Sequence, residues 1–134
     1  MLLKLRAGEK LYINGAVIRV ERKATIELLN DATFLLEAHV IQPDEASTPL
    51  RQLYFTLQTE LMDRDAAPIA RKMFKTMLAD TSAAFGPGAV AEGLREAQAL
   101  AESGRIFEAL KAIRALYPRE AELLTGAPQT NAAA

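Results

Sequence analysis

The chain has 134 residues, 50% of them hydrophobic and 25% charged, which is enough to bury a core in one domain or two tightly packed subdomains and too apolar for a disordered chain. It has no cysteine, which excludes a disulfide framework, thiolate catalysis, thiolate metal ligation and redox switching, and makes a reducing cytosol the expected home. The net charge of −1 is unevenly spread: residues 1–23 hold Lys4, Arg6, Lys10, Arg19, Arg22 and Lys23 against Glu9 and Glu21, a surplus of four that leaves −5 for the remainder.

The start, Met1-Leu2-Leu3-Lys4-Leu5-Arg6, carries charge where a signal peptide needs an unbroken apolar stretch, and no window approaches ~18 uninterrupted apolar residues. Neither secretion nor membrane spanning is expected. From residue 2 to 41 the pattern has period two. Leu3 and Leu5 alternate with Lys4 and Arg6; Ala7-Gly8-Glu9 turns the chain into Lys10–Ile13; Asn14-Gly15 supplies the positive φ of a tight hairpin; and Ala16–Arg22 returns as the partner strand. Ile26 and Leu28 alternate with Thr25 and Glu27, and Asn30-Asp31 signals a further turn before a last strand, Thr33–Ile41. Four or five antiparallel strands in sequence are predicted. In the last, Phe34, Leu36, Ala38 and Val40 share one face and Leu35, Glu37, His39 and Ile41 the other, so both faces require cover from the helices or from a second subunit.

The period changes to 3.6 after Gln42–Pro49, where Ser47-Thr48-Pro49 reads as an N-cap followed by proline in the first turn. Leu50, Leu53, Tyr54, Leu57 and Leu61 follow helical spacing, Asp63-Arg64-Asp65 interrupts, and Pro68 opens a second helix carrying Ile69, Met73, Phe74, Met77 and Leu78. After the break at Gly86-Pro87-Gly88, Val90, Leu94, Ala97 and Ala101 form a stripe ended by Gly104, and Ile106, Leu110, Ile113 and Tyr117 form another ended by Pro118. The last two read as one antiparallel helix hairpin; a helical-repeat array needs about three such units. The tail from Gln129 to Ala134 has nothing to bury and is expected to fray. The expected fold is α+β: a small antiparallel β-sheet or β-barrel-like subdomain over residues 1–46, a helical subdomain over 47–125, and a tail over 126–134.

Little catalytic chemistry is available. His39 is the only histidine, and without a second nitrogen or sulfur ligand zinc is not expected. There is no phosphate-binding glycine loop ending in Gly-Lys-Ser/Thr, and Ser47, Ser82 and Ser103 sit in cap, helix-end and turn contexts without a base. Glu92, Glu96 and Glu102 sit at helical spacing beside arginines as a solvated face. Neither an enzyme nor a cofactor or metal site is expected, which leaves binding surfaces. Lys4, Arg6, Lys10, Arg19, Arg22 and Lys23 could line one face or edge of the sheet and neutralise phosphates, or could be ordinary solvated strand faces with edge-protecting cations. Tyr12, the aromatic within that segment, could stack a base or pack across the strands. On the helical side Met62, Met73 and Met77 with Phe74 and Phe85 would suit an adaptable protein-binding groove or plain core. Arg71, Lys72 and Lys75 form a smaller basic patch.

The run Leu5-Arg6-Ala7-Gly8-Glu9-Lys10-Leu11-Tyr12-Ile13-Asn14-Gly15-Ala16-Val17-Ile18, followed by Leu28-Leu29-Asn30-Asp31-Ala32 and by Ile41-Gln42-Pro43-Asp44-Glu45-Ala46-Ser47-Thr48-Pro49-Leu50-Arg51-Gln52-Leu53-Tyr54-Phe55, resembles the flagellar regulator family FlbT over residues 2 to about 125. The resemblance implies a cytoplasmic post-transcriptional regulator of flagellin synthesis that associates with the 5′ untranslated leader of flagellin messenger RNA, represses translation or promotes decay, and works alongside a second small protein, FlaF. A shorter likeness, Leu3 to Ile13, is to the opening of the carbon storage regulator family, where Arg6 falls on a family arginine and Leu5 stands in place of its neighbour. Two functions are thus expected in competition. In the first, the β half contacts RNA through the six cations and Tyr12. In the second, a chaperone-like adaptor binds flagellin or FlaF through Met73, Phe74 and Met77. A homodimer is expected from the small sheet with its open edges.

Overall fold

The computed structural model of the chain describes residues 1–30 and 32–125. Five strands come first, β1 (Leu2–Leu5), β2 (Lys10–Ile13), β3 (Ala16–Arg19), β4 (Ala24–Glu27) and β5 (Phe34–Leu36). Five helices follow, α1 (Pro49–Met62), α2 (Ala67–Phe85), α3 (Ala89–Glu102), α4 (Ile106–Arg114) and α5 (Tyr117–Thr125). The chain is α+β, with the sheets before the helices as the change of hydrophobic period predicts. The tail expected to fray and Asp31 of the expected Asn30-Asp31 turn lie outside the described residues.

The strands do not pair in simple succession. β1 pairs with β4, and β2 lies between β3 and β5, all antiparallel. The two ladders share one register, from Leu2 opposite Glu27 to Leu5 opposite Ala24 and from Lys10 opposite Arg19 to Ile13 opposite Ala16. Residues 2–13 and 16–27 are therefore the arms of one long hairpin. Its tip is Asn14-Gly15, with φ of 49° and 83°, the left-handed pair that a two-residue turn requires.

Ala7-Gly8-Glu9 turns the chain into β2 as expected, with the Glu9 N–H on the Arg6 carbonyl at 3.0 Å, but the strands on either side of it do not pair with each other and the turn is a bend within one arm. Gly8 and Glu9 both bond Val20, through Gly8 N–H to the Val20 carbonyl (2.7 Å) and Val20 N–H to the Glu9 carbonyl (3.2 Å), which makes a β-bulge. The Glu9 carboxylate accepts the Arg6 N–H at 2.8 Å and closes the bend from the side. Folding there lays the β1–β4 ribbon over the β3-β2-β5 sheet, and the two enclose Leu3, Leu5, Leu11 and Phe34, with Ile13, Ile26 and Leu36 around them.

The last strand is shorter than predicted. β5 ends at Leu36, and Glu37–His39 is a 3-10 turn. The Glu37 carboxylate accepts the Lys10 N–H at 2.7 Å, so a side chain takes the place of the next ladder bond and the backbone is free to turn away. Within β5 both faces are covered, Phe34 by the sheet core and Leu35 by the helical core. Gln58 of α1 then holds the departing chain by both main-chain groups of Ile41, at 2.8 and 2.9 Å.

Helices α1 to α4 begin where the sequence signals them. Thr48 Oγ1 accepts the Arg51 N–H at 3.2 Å and Pro49 opens α1, whose Leu50, Leu53, Tyr54, Leu57 and Leu61 are all buried against α2, α3 and α4. Gly104, at φ 84°, closes α3 with Arg105 N–H to the Leu100 carbonyl and Gly104 N–H to the Ala101 carbonyl, the paired bonds of a glycine C-cap. Pro118 was predicted to end the fourth helix, but α4 stops at Arg114 and Tyr117-Pro118 starts α5. Lacking an N–H, proline suits a first turn.

Contacts cross from strands to helices. Phe107 of α4 stacks on Phe34 with centroids 4.8 Å apart, and Arg64, between α1 and α2, donates to the Asn14 carbonyl at 3.0 Å. Glu120 of α5 is 1% exposed and its Oε2 accepts the N–H of Leu50, in the first turn of α1, at 2.7 Å. A carboxylate there favours the α1 dipole and satisfies an orphan donor. Replacing Glu120 with Ala strands that N–H and is expected to cost roughly 1–3 kcal/mol. Glu122→Ala, half-buried on the same helix and ion-paired with Arg119, should cost less, about 0.5 kcal/mol. Urea denaturation of both variants checks the contrast, and equal losses would remove the capping role.

Candidate nucleic-acid interface

The register fixes where the six N-terminal cations lie. Leu3 and Leu5 point into the sheet core, so Lys4, opposite Thr25, stands on the outer face of the β1–β4 ribbon. Lys10 and Arg19 are directly opposed on β2 and β3, on the face opposite Leu11, which points into the sheet core. Like charges placed across a ladder repel, so this pair is held by the fold at a cost. Arg6, Arg22 and Lys23 lie in the bend between these ladders and are exposed.

Five of the six cations thus occupy the bend or its flanking pair, and Lys4 lies on the ribbon just beyond it. Among the described residues none of the six is ion-paired; the ion pairs are those of Arg51, Arg71, Arg105 and Arg119. Glu9 and Glu37, the nearby carboxylates, accept main-chain N–H groups of Arg6 and Lys10. Glu21 is the further acid of the bend. Gly8 is open on its outer side, with nothing within 4 Å of where a Cβ would stand. Tyr12 is half-buried and packs on the helical core, so its ring is a packing element and not an exposed stacking platform.

The helical candidates separate. Phe74 is 4% exposed and belongs to the core, which removes it from any docking surface. Met77 is half-buried with its sulfur 3.4 Å from Thr56 Oγ1, and Met62 and Phe85 also pack on the core. Met73 is exposed, one turn from exposed Ile69. Of the smaller basic patch, Arg71 is paired with Glu60 at 3.2 Å, while Lys72 and Lys75 are exposed.

Residues 1–124 match the family model described as flagellar protein FlbT. The chain belongs to the FlbT family. Among curated relatives, the probable flagellum biosynthesis repressor protein FlbT of Chelativorans sp. (strain BNC1) is 50% identical over 127 residues, covering 95% of this chain and 88% of that protein. Proteins of the same name from Brucella ovis and Brucella canis are 52% identical over 126 residues, covering 94% of this chain and 83% of theirs. No solved structure matches the chain. The family match takes in both the bent hairpin and the helices up to α5.

One polar cluster in this FlbT-family chain was not foreseen. Tyr54 donates to the His39 carbonyl and accepts from Arg114 at 3.0 Å, its ring lies 6.3 Å from that of Tyr117, and Arg51 sits 4.3 Å over the Tyr117 ring. The sequence places both tyrosines in apolar stripes; a phenol in such a stripe, which needs a partner for its hydroxyl, is the signal that could have found the cluster. No group of three metal-ligating side chains occurs among the described residues. Burial, helped by Arg114, pushes the His39 imidazole below its ordinary value, and burial pushes the Tyr54 and Tyr117 phenols up.

A histidine whose folded pKa is depressed stays neutral in the native state while the unfolded chain takes up a proton, so stability falls as pH drops through 6.5. The raised phenols act at the other end: the unfolded tyrosines ionise first, and stability falls as pH rises past 10. Thermal melts between pH 7 and 5.5 should show a declining melting temperature, and His39→Gln should flatten that decline. An unchanged slope in the variant would clear His39 of the effect.

Proposed function

We propose that the chain is a post-transcriptional regulator of flagellin synthesis that binds the 5′ leader of flagellin messenger RNA through the bend of its long hairpin, repressing translation or promoting decay. Its family membership and the printed names of its relatives, probable repressors of flagellum biosynthesis, support a regulatory role in making flagella. The observation that carries the RNA contact is the gathering of Arg6, Lys10, Arg19, Arg22 and Lys23 at one exposed bend with no ion-pair partner among the described residues. These cations outnumber the nearby carboxylates of Glu9, Glu21 and Glu37, and cations that neutralise phosphates release the counterions condensed on the RNA. Cytoplasmic action on a messenger agrees with the lack, among the described residues, of any helix long and apolar enough to cross a membrane.

A second reading has its own observation. Ile69 and Met73, 65% and 51% exposed on α2, would serve an adaptor that docks flagellin or FlaF and touches RNA only through its partners. Mobility shifts with a flagellin leader and a scrambled control separate the two, beside pull-downs from RNase-treated lysate. Direct binding requires that Arg6→Ala and Arg19→Ala each weaken leader retention and reduce the slope of log affinity against log salt by about one unit. Leader binding indifferent to salt and to both substitutions, with protein partners retained after RNase, would favour the adaptor.

A further inference from the structure

We infer that the RNA taken at the bend is double-helical, a paired stem gripped by its two phosphate strands, and not an unpaired strand read through stacked bases. This rests on the RNA contact proposed above and names its substrate class.

Recognition of unpaired RNA depends on aromatic rings on which bases stack, worth about 1–3 kcal/mol per base. The chain has five phenylalanines, three tyrosines and no tryptophan, all within the described residues, and each of the eight is buried or half-buried. The apolar side chains the hairpin does expose, Leu2, Val17 and Ile18, are aliphatic and offer no π-face. Guanidinium planes can also stack on bases, but they do so when a partner holds the plane. No side-chain hydrogen bond or ion pair holds those of Arg6, Arg19 or Arg22 among the described residues. Cations of that kind suit phosphates, which accept from many directions.

The second observation is where the cations point. Lys4 stands on the outer face of the β1–β4 ribbon, while Lys10 and Arg19 stand at the end of the other sheet, on the face that Tyr12 and Leu35 turn toward the helices, with Lys10 half-buried and Arg19 exposed on the edge strand β3. Arg6, Arg22 and Lys23 join the two sets around the bend. A single strand crossing one face would meet only part of this charge. A stem presents two rows of phosphate separated by a groove, and cations carried from the ribbon around the bend to the edge strand β3 can answer both rows. Such contacts register shape and spacing, so the identity of the base pairs should matter little.

The experiment is fluorescence anisotropy on the full chain with three RNAs: a stem–loop from a flagellin leader, the same stem with every base pair exchanged for another, and one strand of the stem alone. The two stems should bind within about threefold of each other, and the lone strand should bind roughly tenfold more weakly. Arg19→Ala and Lys4→Ala, on different sheets, should each weaken the stem complex, with circular dichroism confirming that both variants fold. A lone strand bound as tightly as the stem, or affinity lost on exchanging pairs, overturns the double-helical substrate while leaving RNA binding at the bend intact. If none of the three RNAs binds, the RNA contact itself falls.

Discussion

The bend at residues 6–9 is the constraint from which the rest of the β half follows. A two-stranded ribbon with arms as long as these has two faces and too little of its own surface to cover either. Gly8 in a left-handed conformation, the paired bonds to Val20 and the Glu9 carboxylate on the Arg6 N–H allow the ribbon to fold over itself. Leu3 and Leu5 then meet Leu11 and Phe34, and β2 is left with Tyr12 turned toward the helices. The same fold sets the charge. Cations spaced along both arms are carried into and around one corner, where the nearby carboxylates of Glu9 and Glu37 accept main-chain N–H groups.

The helical half supports that corner from behind. Phe107 stacks on Phe34, Arg64 holds the hairpin tip, and Gln58 and Tyr54 of α1 hold the chain as it leaves the sheet. Glu120 fixes α5 across the start of α1, so the C-terminal end of the described chain is tied to the first helix. Buried polar groups of this kind are demanding, because removing one partner leaves another stranded.

Local signals in the sequence were legible and long-range ones were not. Thr48-Pro49, the stripe from Leu50 to Leu61, Asn14-Gly15 and Gly104 each act within a few residues, and each lies where its chemistry predicts. The pairing of β1 with β4 joins residues 19 to 25 positions apart, and nothing in a period-two pattern says which strand a neighbour will be. β5 ended early because of one side chain, Glu37, competing for a main-chain N–H, a substitution that alternation cannot show. Phe74 and Tyr12 were ambiguous between surface and core on spacing alone, and both went to packing. The six cations were visible as a charge imbalance; their distribution over two sheets and the bend between them required the register.

The central claim is that a nucleic acid meets this chain at the corner of the folded hairpin. Backbone amide NMR during titration with leader RNA tests it most directly. The account predicts that signals from residues 6–10 and 19–23 move together and return toward their free positions as salt is raised. Shifts confined to α2 around Ile69 and Met73, with the hairpin signals unmoved, would contradict it.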